Sequence, residues 1–130
     1  MNHKNQDVLE FYKILPFNVY GDISTAVNQI KKIDPFIIYP ELKKIFSKFN
    51  KIKVIDFGCG GGWLVNSLLY HHADNIEIVG VDFNPSAIEY ANKVKSKLNL
   101  SSDFFVSDLF TYKNEKKFNL IISLGALHHT

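Results

Sequence analysis

The sequence predicts an α/β fold: a Rossmann-like, doubly wound parallel sheet, partial at about four strands, preceded by a helical N-terminal region. Three observations predict it. From Lys51 onward, short apolar runs alternate with segments of helical spacing. The first of these runs passes straight into Gly58-Cys59-Gly60-Gly61-Gly62. The second ends on an acid, Asp82.

The elements follow in chain order. Val8, Leu9, Phe11, Tyr12 and Leu15 read as a short amphipathic helix stopped by Pro16, with a loop over Phe17 to Asp22. Ser24 is placed to cap a second helix carrying Ala26, Val27 and Ile30 on one face. Asp34-Pro35 opens a third segment, which Pro40 breaks or restarts. Leu42, Ile45, Phe46 and Phe49 form its apolar stripe, and Asn50 is its expected stop. Val54 to Phe57 is the first strand. Trp63 to His72 is a helix burying Leu64, Val65, Leu68 and Leu69. Ile76 to Val81 is the second strand. Asn84 caps the next helix, with Pro85 in its first turn and Ala87, Ile88, Ala91, Val94 and Leu98 at helical spacing. Phe104 to Val106 and Leu120 to Leu124 are the third and fourth strands. The expected division is a helical lid or extension over residues 1–50 and a nucleoside-binding core over residues 51–130.

Composition narrows the function. The chain has 130 residues, 46% of them hydrophobic, which suffices for one packed domain. Its net charge is +2, and all fifteen basic residues are Lys. Arg supplies the fork that reads phosphates and guanine edges, so its absence argues against a dedicated nucleic-acid binder. The one cysteine, Cys59, allows no internal disulfide and suits a reducing, cytoplasmic setting. No signal-peptide pattern opens the chain, and no apolar run is long enough for a membrane span.

The glycine loop carries the chemistry. Glycines after a strand let the backbone turn tightly and approach a ligand with no side chain between. Asp82 lies 20 residues after Gly62, where an acid can accept hydrogen bonds from the ribose hydroxyls of an adenosine-containing ligand. The dinucleotide fingerprint needs a third glycine for close helix–strand packing, and Trp63 stands there instead. Asp56 precedes the loop. An acid at that place repels a pyrophosphate and suits a cationic ligand.

Val54-Ile55-Asp56-Phe57-Gly58-Cys59-Gly60-Gly61-Gly62 resembles the first motif of the class I S-adenosylmethionine-dependent methyltransferases. Val79-Gly80-Val81-Asp82-Phe83-Asn84-Pro85-Ser86-Ala87-Ile88 resembles their second motif. Ser107-Asp108 and the run from Phe118 to His129 match later ones, so the resemblance covers about residues 51 to 130. It implies an N-terminal portion of such an enzyme, ending after the fourth strand, with S-adenosylmethionine as cofactor and S-adenosylhomocysteine as product. It further implies that Gly58 and Gly60 line the methionine part, and Asp56 and Cys59 of the same motif are counted with them as cofactor-binding residues. The same resemblance implies that Asp82 binds the ribose, Phe83 flanks the adenine, Asp108 meets the adenine amine, and Leu124 and Gly125 lie beside the reacting methyl.

Other residues carry weaker claims. Cys59 has no evident base beside it and reads as packing rather than a nucleophile. His71-His72 and His128-His129 lack the spaced partners of a metal site, so no metal is expected. His71 and His72 read as surface residues near a helix end. His128, after the fourth strand, is a weak candidate for substrate contact or a base, and Tyr12, Phe17 and Tyr20 are lid candidates. The acceptor is expected to be a small molecule. The fourth strand looks like a bare apolar edge, which invites a homo-oligomer to cover it. Two alternatives stay open: a non-catalytic cofactor-binding or assembly module, and an NAD-dependent oxidoreductase.

Overall fold

The computed structural model describes residues 9–13, 21–107 and 118–124. Its strands are β1 (Leu9–Lys13), β2 (Ile52–Phe57), β3 (Ile76–Asp82), β4 (Asp103–Val106) and β5 (Leu120–Leu124). Its helices are α1 (Ile23–Lys32), α2 (Pro35–Ile38), α3 (Pro40–Phe46), α4 (Trp63–His72) and α5 (Pro85–Leu98). The strands make one five-stranded sheet in the order β1-β5-β2-β3-β4, and every pairing is parallel. The fold is Rossmann-like α/β. From β2 the chain winds outward through β3 to β4, then crosses back to place β5 on the other side of β2. The order reverses between β2 and β5, and such a switch point leaves a crevice beyond the strands' carboxyl ends.

Two expectations about the N-terminus are corrected here. Residues 9–13 form a strand, not part of a helix, and that strand covers the outer edge of β5. Leu9 stands opposite Leu120 and Lys13 opposite Leu124. The apolar spacing over Val8 to Leu15 fits a helix, but the unpaired groups of β5 offer a backbone ladder, and tertiary pairing overrides local periodicity. The fourth predicted strand is therefore not bare, and it needs no second copy to cover that edge. Asn119 ties the join: its N–H donates to the Lys53 carbonyl (2.8 Å), its Oδ1 accepts from the Lys53 N–H (2.9 Å), and its carbonyl accepts from the Leu9 N–H (2.9 Å).

The other elements lie close to their predicted places, with local differences. The cap of α1 is Asp22 rather than Ser24: its Oδ1 accepts from the Thr25 N–H at 2.8 Å, and the Ser24 hydroxyl donates to the same oxygen. Asp34 caps α2, and Pro40 restarts the chain as the first residue of α3. That helix stops at Phe46, short of Asn50. Asn84 caps α5 by accepting from the Ser86 N–H (2.9 Å), and Asn99 ends it in the left-handed region, with φ 55°.

The core lies mainly on one face of the sheet. Ile52, Val54, Ile76, Ile78, Leu120 and Ile122 pack there against Ala26, Ile30, Leu42, Phe46, Leu68, Leu69, Ile88 and Val94. All five helices contribute to this cluster, α2 through Phe36 and Ile38 at its margin. Ile55, Val79 and Val81 form a smaller cluster on the opposite face. No helix among the described residues is long and apolar enough to cross a membrane.

Candidate functional site

The loop from Gly58 to Gly62 leaves β2 at the switch point. Its start extends the pairing with β3: the Gly58 and Cys59 N–H groups both donate to the Val81 carbonyl, at 2.7 and 3.0 Å. The loop then folds on itself, Gly62 N–H to Cys59 carbonyl at 3.0 Å, and enters α4. Gly62 has φ +79°, and a Cβ there would meet Ala91 Cβ at 2.7 Å and the Phe104 ring at 2.8 Å. Only glycine satisfies both demands. Gly80 on β3 provides the other side of the same slot, since a Cβ there would also lie 2.8 Å from Phe104. Phe104 thus seats across two glycines and fixes where the loop can go.

Asp82 is the hub of the site. Its Oδ2 accepts from the Gly60 N–H at 2.8 Å, and its Oδ1 accepts from the Asn84 N–H at 2.9 Å. Its carbonyl accepts from the Ser107 N–H at 2.9 Å. One residue so joins the glycine loop, the start of α5 and the end of β4. Each carboxylate oxygen keeps a lone pair beyond its backbone bond. Phe83, the next residue, is 71% exposed.

Asp56 is the electrostatic anomaly. It is 1% exposed, and its Oδ1 has no hydrogen-bond partner among the described residues. Burial, and then the neighbouring charge of Asp82, push its carboxyl well above the usual carboxylate range. Nearby acids feel the same field. The Tyr39 phenol is pushed up to about 12 by burial, then by Asp56 and Glu41. The Cys59 thiol is also driven up, by burial and then by Asp56 and Asp82, so it is held as an inert thiol. With the charge of Asp82 beside the buried Asp56 carboxyl, the crevice disfavours an anion and favours a cation.

The structure brings Asp56, Gly58, Cys59, Gly60, Asp82 and Phe83 together at the ends of β2 and β3. Leu124 closes β5 on the other side of the crevice, two strand positions beyond Ile122, the partner of Asp56. Asp108, Gly125, His128, Phe17 and Tyr20 lie outside the described residues, and Tyr12 stands in β1. Tyr39, Gly80 and Phe104 were not singled out from the sequence. Gly80 lies within the second motif, but its role, like those of Tyr39 and Phe104, comes from contacts with distant residues.

The histidines of α4 correct another expectation. They are half-buried and held by partners rather than lying free on the surface. His71 Nε2 is 2.7 Å from the Ile30 carbonyl. His72 Nε2 is 2.8 Å from Asp34 Oδ1, and its ring stacks on Phe36 with centroids 3.9 Å apart. Both histidines pin α4 to the N-terminal helices. Among the described residues no three His, Cys, Asp or Glu side chains gather as a metal would need.

Comparison with known proteins agrees with this geometry. Residues 48–130 match the model of the methyltransferase domain family. The ribosomal RNA small subunit methyltransferase C of Haemophilus influenzae is 40% identical over 81 residues, covering 61% of this chain and 24% of that one. The ubiquinone biosynthesis O-methyltransferase of Rickettsia bellii is 24% identical over 103 residues, covering 77% of this chain and 42% of that one. The chain thus spans less than half the length of these curated relatives. Among solved structures, YjhP of E. coli matches with a TM-score of 0.59 at 22% identity, over 80% of this chain and 44% of that one. PKMT2 of Rickettsia typhi, solved in complex with AdoHcy, matches with a TM-score of 0.51 at 26% identity, over 59% of this chain and 15% of that one. The resemblance read from the motifs and the match over residues 48–130 agree, and the chain belongs to the methyltransferase domain family.

Proposed function

We propose that this chain is the cofactor-binding part of an S-adenosylmethionine-dependent methyltransferase. The observation that carries the reading is the pair of acids at the switch point: Asp82, which holds the glycine loop, and Asp56, whose buried Oδ1 has no partner. A pyrophosphate would meet the charge of Asp82 and leave Asp56 with no counter-charge, whereas an ammonium or sulfonium would supply the positive charge that lets Asp56 ionise. The AdoHcy held by Rickettsia typhi PKMT2 supports the same ligand class.

Bound here, S-adenosylmethionine supplies a methyl group already activated by its own sulfonium. The chain's residues then bind and orient. Gly58, Cys59 and Gly60 offer bare backbone to the methionine part, and Asp56 faces its ammonium. Asp82 accepts from the ribose hydroxyls with the lone pairs its backbone bonds leave open. Phe83 and Asp108 take the adenine, and Leu124 lies beside the reacting centre. Alignment and exclusion of water are the protein's contribution, and a base such as His128 is needed only for an acceptor that arrives protonated. Residues 51–130 serve as the floor of this site and the N-terminal region, residues 1–50, as an extension of it, whose strand β1 joins the sheet and whose helices α1 and α3 pack into the core. A buried, unreactive cysteine suits a cytoplasmic setting.

The acceptor proposed is a small molecule, because an Arg-free chain is poorly equipped for phosphate backbones. A second reading, RNA, is favoured by the 40% identity to a ribosomal RNA methyltransferase. Salt-sensitive binding of a structured RNA by this chain decides for RNA.

Calorimetry with S-adenosylhomocysteine and with NAD tests the cofactor. The first is expected to bind and the second not. Asp82→Ala is expected to weaken S-adenosylhomocysteine by about 2 kcal/mol or more, roughly thirtyfold in Kd, because charge-assisted hydrogen bonds are lost and the loop loses its anchor. Unchanged affinity sinks the ribose assignment.

A further inference from the structure

Strand alternation puts Asp56 on the sheet face of Ile52 and Val54, which the helices cover. It is buried, at 1% exposed, and its Oδ1 receives no hydrogen bond from any of the described residues. Among the described residues, the ionisable groups coupled to it are all acids: Asp82 at the end of β3, the Tyr39 phenol between α2 and α3, and the Cys59 thiol in the loop, with Glu41 acting in turn on Tyr39. No cationic side chain among the described residues acts on it. A bare carboxylate in such a place has neither solvent nor counter-charge.

We propose that Asp56 is a proton-exchanging charge sensor, protonated in the free chain and ionised by an arriving ligand ammonium, so that cofactor binding releases a proton. The inference rests on the cofactor reading above. The balance is simple. The Asp56 carboxylic acid gives its proton to the solvent buffer, and the resulting carboxylate pairs with the ligand's ammonium, which keeps its own protons. The buried site trades one positive charge, a proton, for another. A neutral ligand leaves the acid protonated and draws no proton out.

The sign of the pH dependence follows. The ligand binds the ionised form of Asp56 more tightly, so its affinity rises with pH while Asp56 in the free chain is still protonated. It levels off above the raised range in which the free chain ionises. A site built on a carboxylate already ionised in the free chain shows no such rise.

The test is calorimetry of the full chain with S-adenosylhomocysteine, from about pH 5 to about pH 8, in buffers of different ionisation enthalpy. The expected result is a heat that varies with the buffer, corresponding to about one proton released, and an affinity that climbs by up to about tenfold per pH unit in the acid part of the range. Adenosine, which has no ammonium, is expected to bind with no release. Asp56→Asn, which keeps the shape and removes the titration, is expected to bind S-adenosylhomocysteine with buffer-independent heat and flat pH dependence. Binding of S-adenosylhomocysteine to the natural chain with buffer-independent heat throughout overturns the proposal and leaves the cofactor reading standing. Absence of binding at every pH overturns the cofactor reading and the proton exchange with it. Release that persists in Asp56→Asn assigns the proton to another group and also overturns the proposal.

Discussion

At the scale of single residues, the site is shaped by what is missing as much as by what is present. Gly62 shows the point. Its left-handed φ and its contact distances to Ala91 and Phe104 each forbid a side chain. Gly62→Ala is expected to lower stability by about 2–4 kcal/mol, from backbone strain and overpacking together. Gly21→Ala is the control, because the nearest atoms to its added Cβ are 4.0 Å away on Thr25 and the cost should be small. Urea unfolding of the two variants checks this; equal midpoints would refute the packing account. The glycine pattern itself was legible in the sequence, as was the acid before it. The reason for Gly62 was not, since Ala91 and Phe104 lie far along the chain.

At the scale of elements, a buried polar chain fixes how α4, α5 and the approach to β4 meet. Asn66 and Ser102 are both fully buried. The Ser102 hydroxyl donates to Asn66 Oδ1 at 2.7 Å, and Asn66 Nδ2 donates to the Ala91 carbonyl at 3.2 Å. The Ser102 hydroxyl and both polar atoms of the Asn66 amide each have a partner, which makes the chain specific rather than costly. Ser102→Ala is expected to cost about 1–3 kcal/mol, because it leaves the Asn66 oxygen buried without its donor. Thermal or urea unfolding measures it, and a loss near zero means that water or a shifted rotamer replaces the hydroxyl. The same region holds the slot for Phe104, so loosening it should also reach the glycine loop. Helix periodicity placed α4 and α5 well, because their apolar faces repeat every three to four residues. It gave no sign that Asn66, on the buried part of α4, has a partner in another element.

At the scale of the whole molecule, the sheet is closed on its β5 side by the chain's own N-terminal strand. Residues 9–13 run parallel to β5, and Asn119 stitches that join to β2. A variant lacking residues 1–13 exposes the outer ladder of β5, an apolar edge ready to pair with another copy. It is expected to self-associate with rising concentration in light scattering, while the natural chain does so less. A variant that behaves like the natural chain would show that this edge needs no cover. The parallel pairing also explains why β1 was read as helix. Five residues of mixed apolar spacing carry too little information to choose a structure, and a waiting strand edge decides it.

The sequence by itself determined the alternating strands and helices, the glycine loop and the acids on either side of it, because each is written in local spacing. Repeats of two and of three to four residues, and glycines where a strand meets a helix, depend only on near neighbours. The tertiary structure alone decided which strand covers β5, that Asp82 ties the loop to α5 and β4, and that Asp56 is sealed among other acids. Those outcomes depend on groups brought together from distant parts of the chain, and burial and charge coupling exist only once they meet.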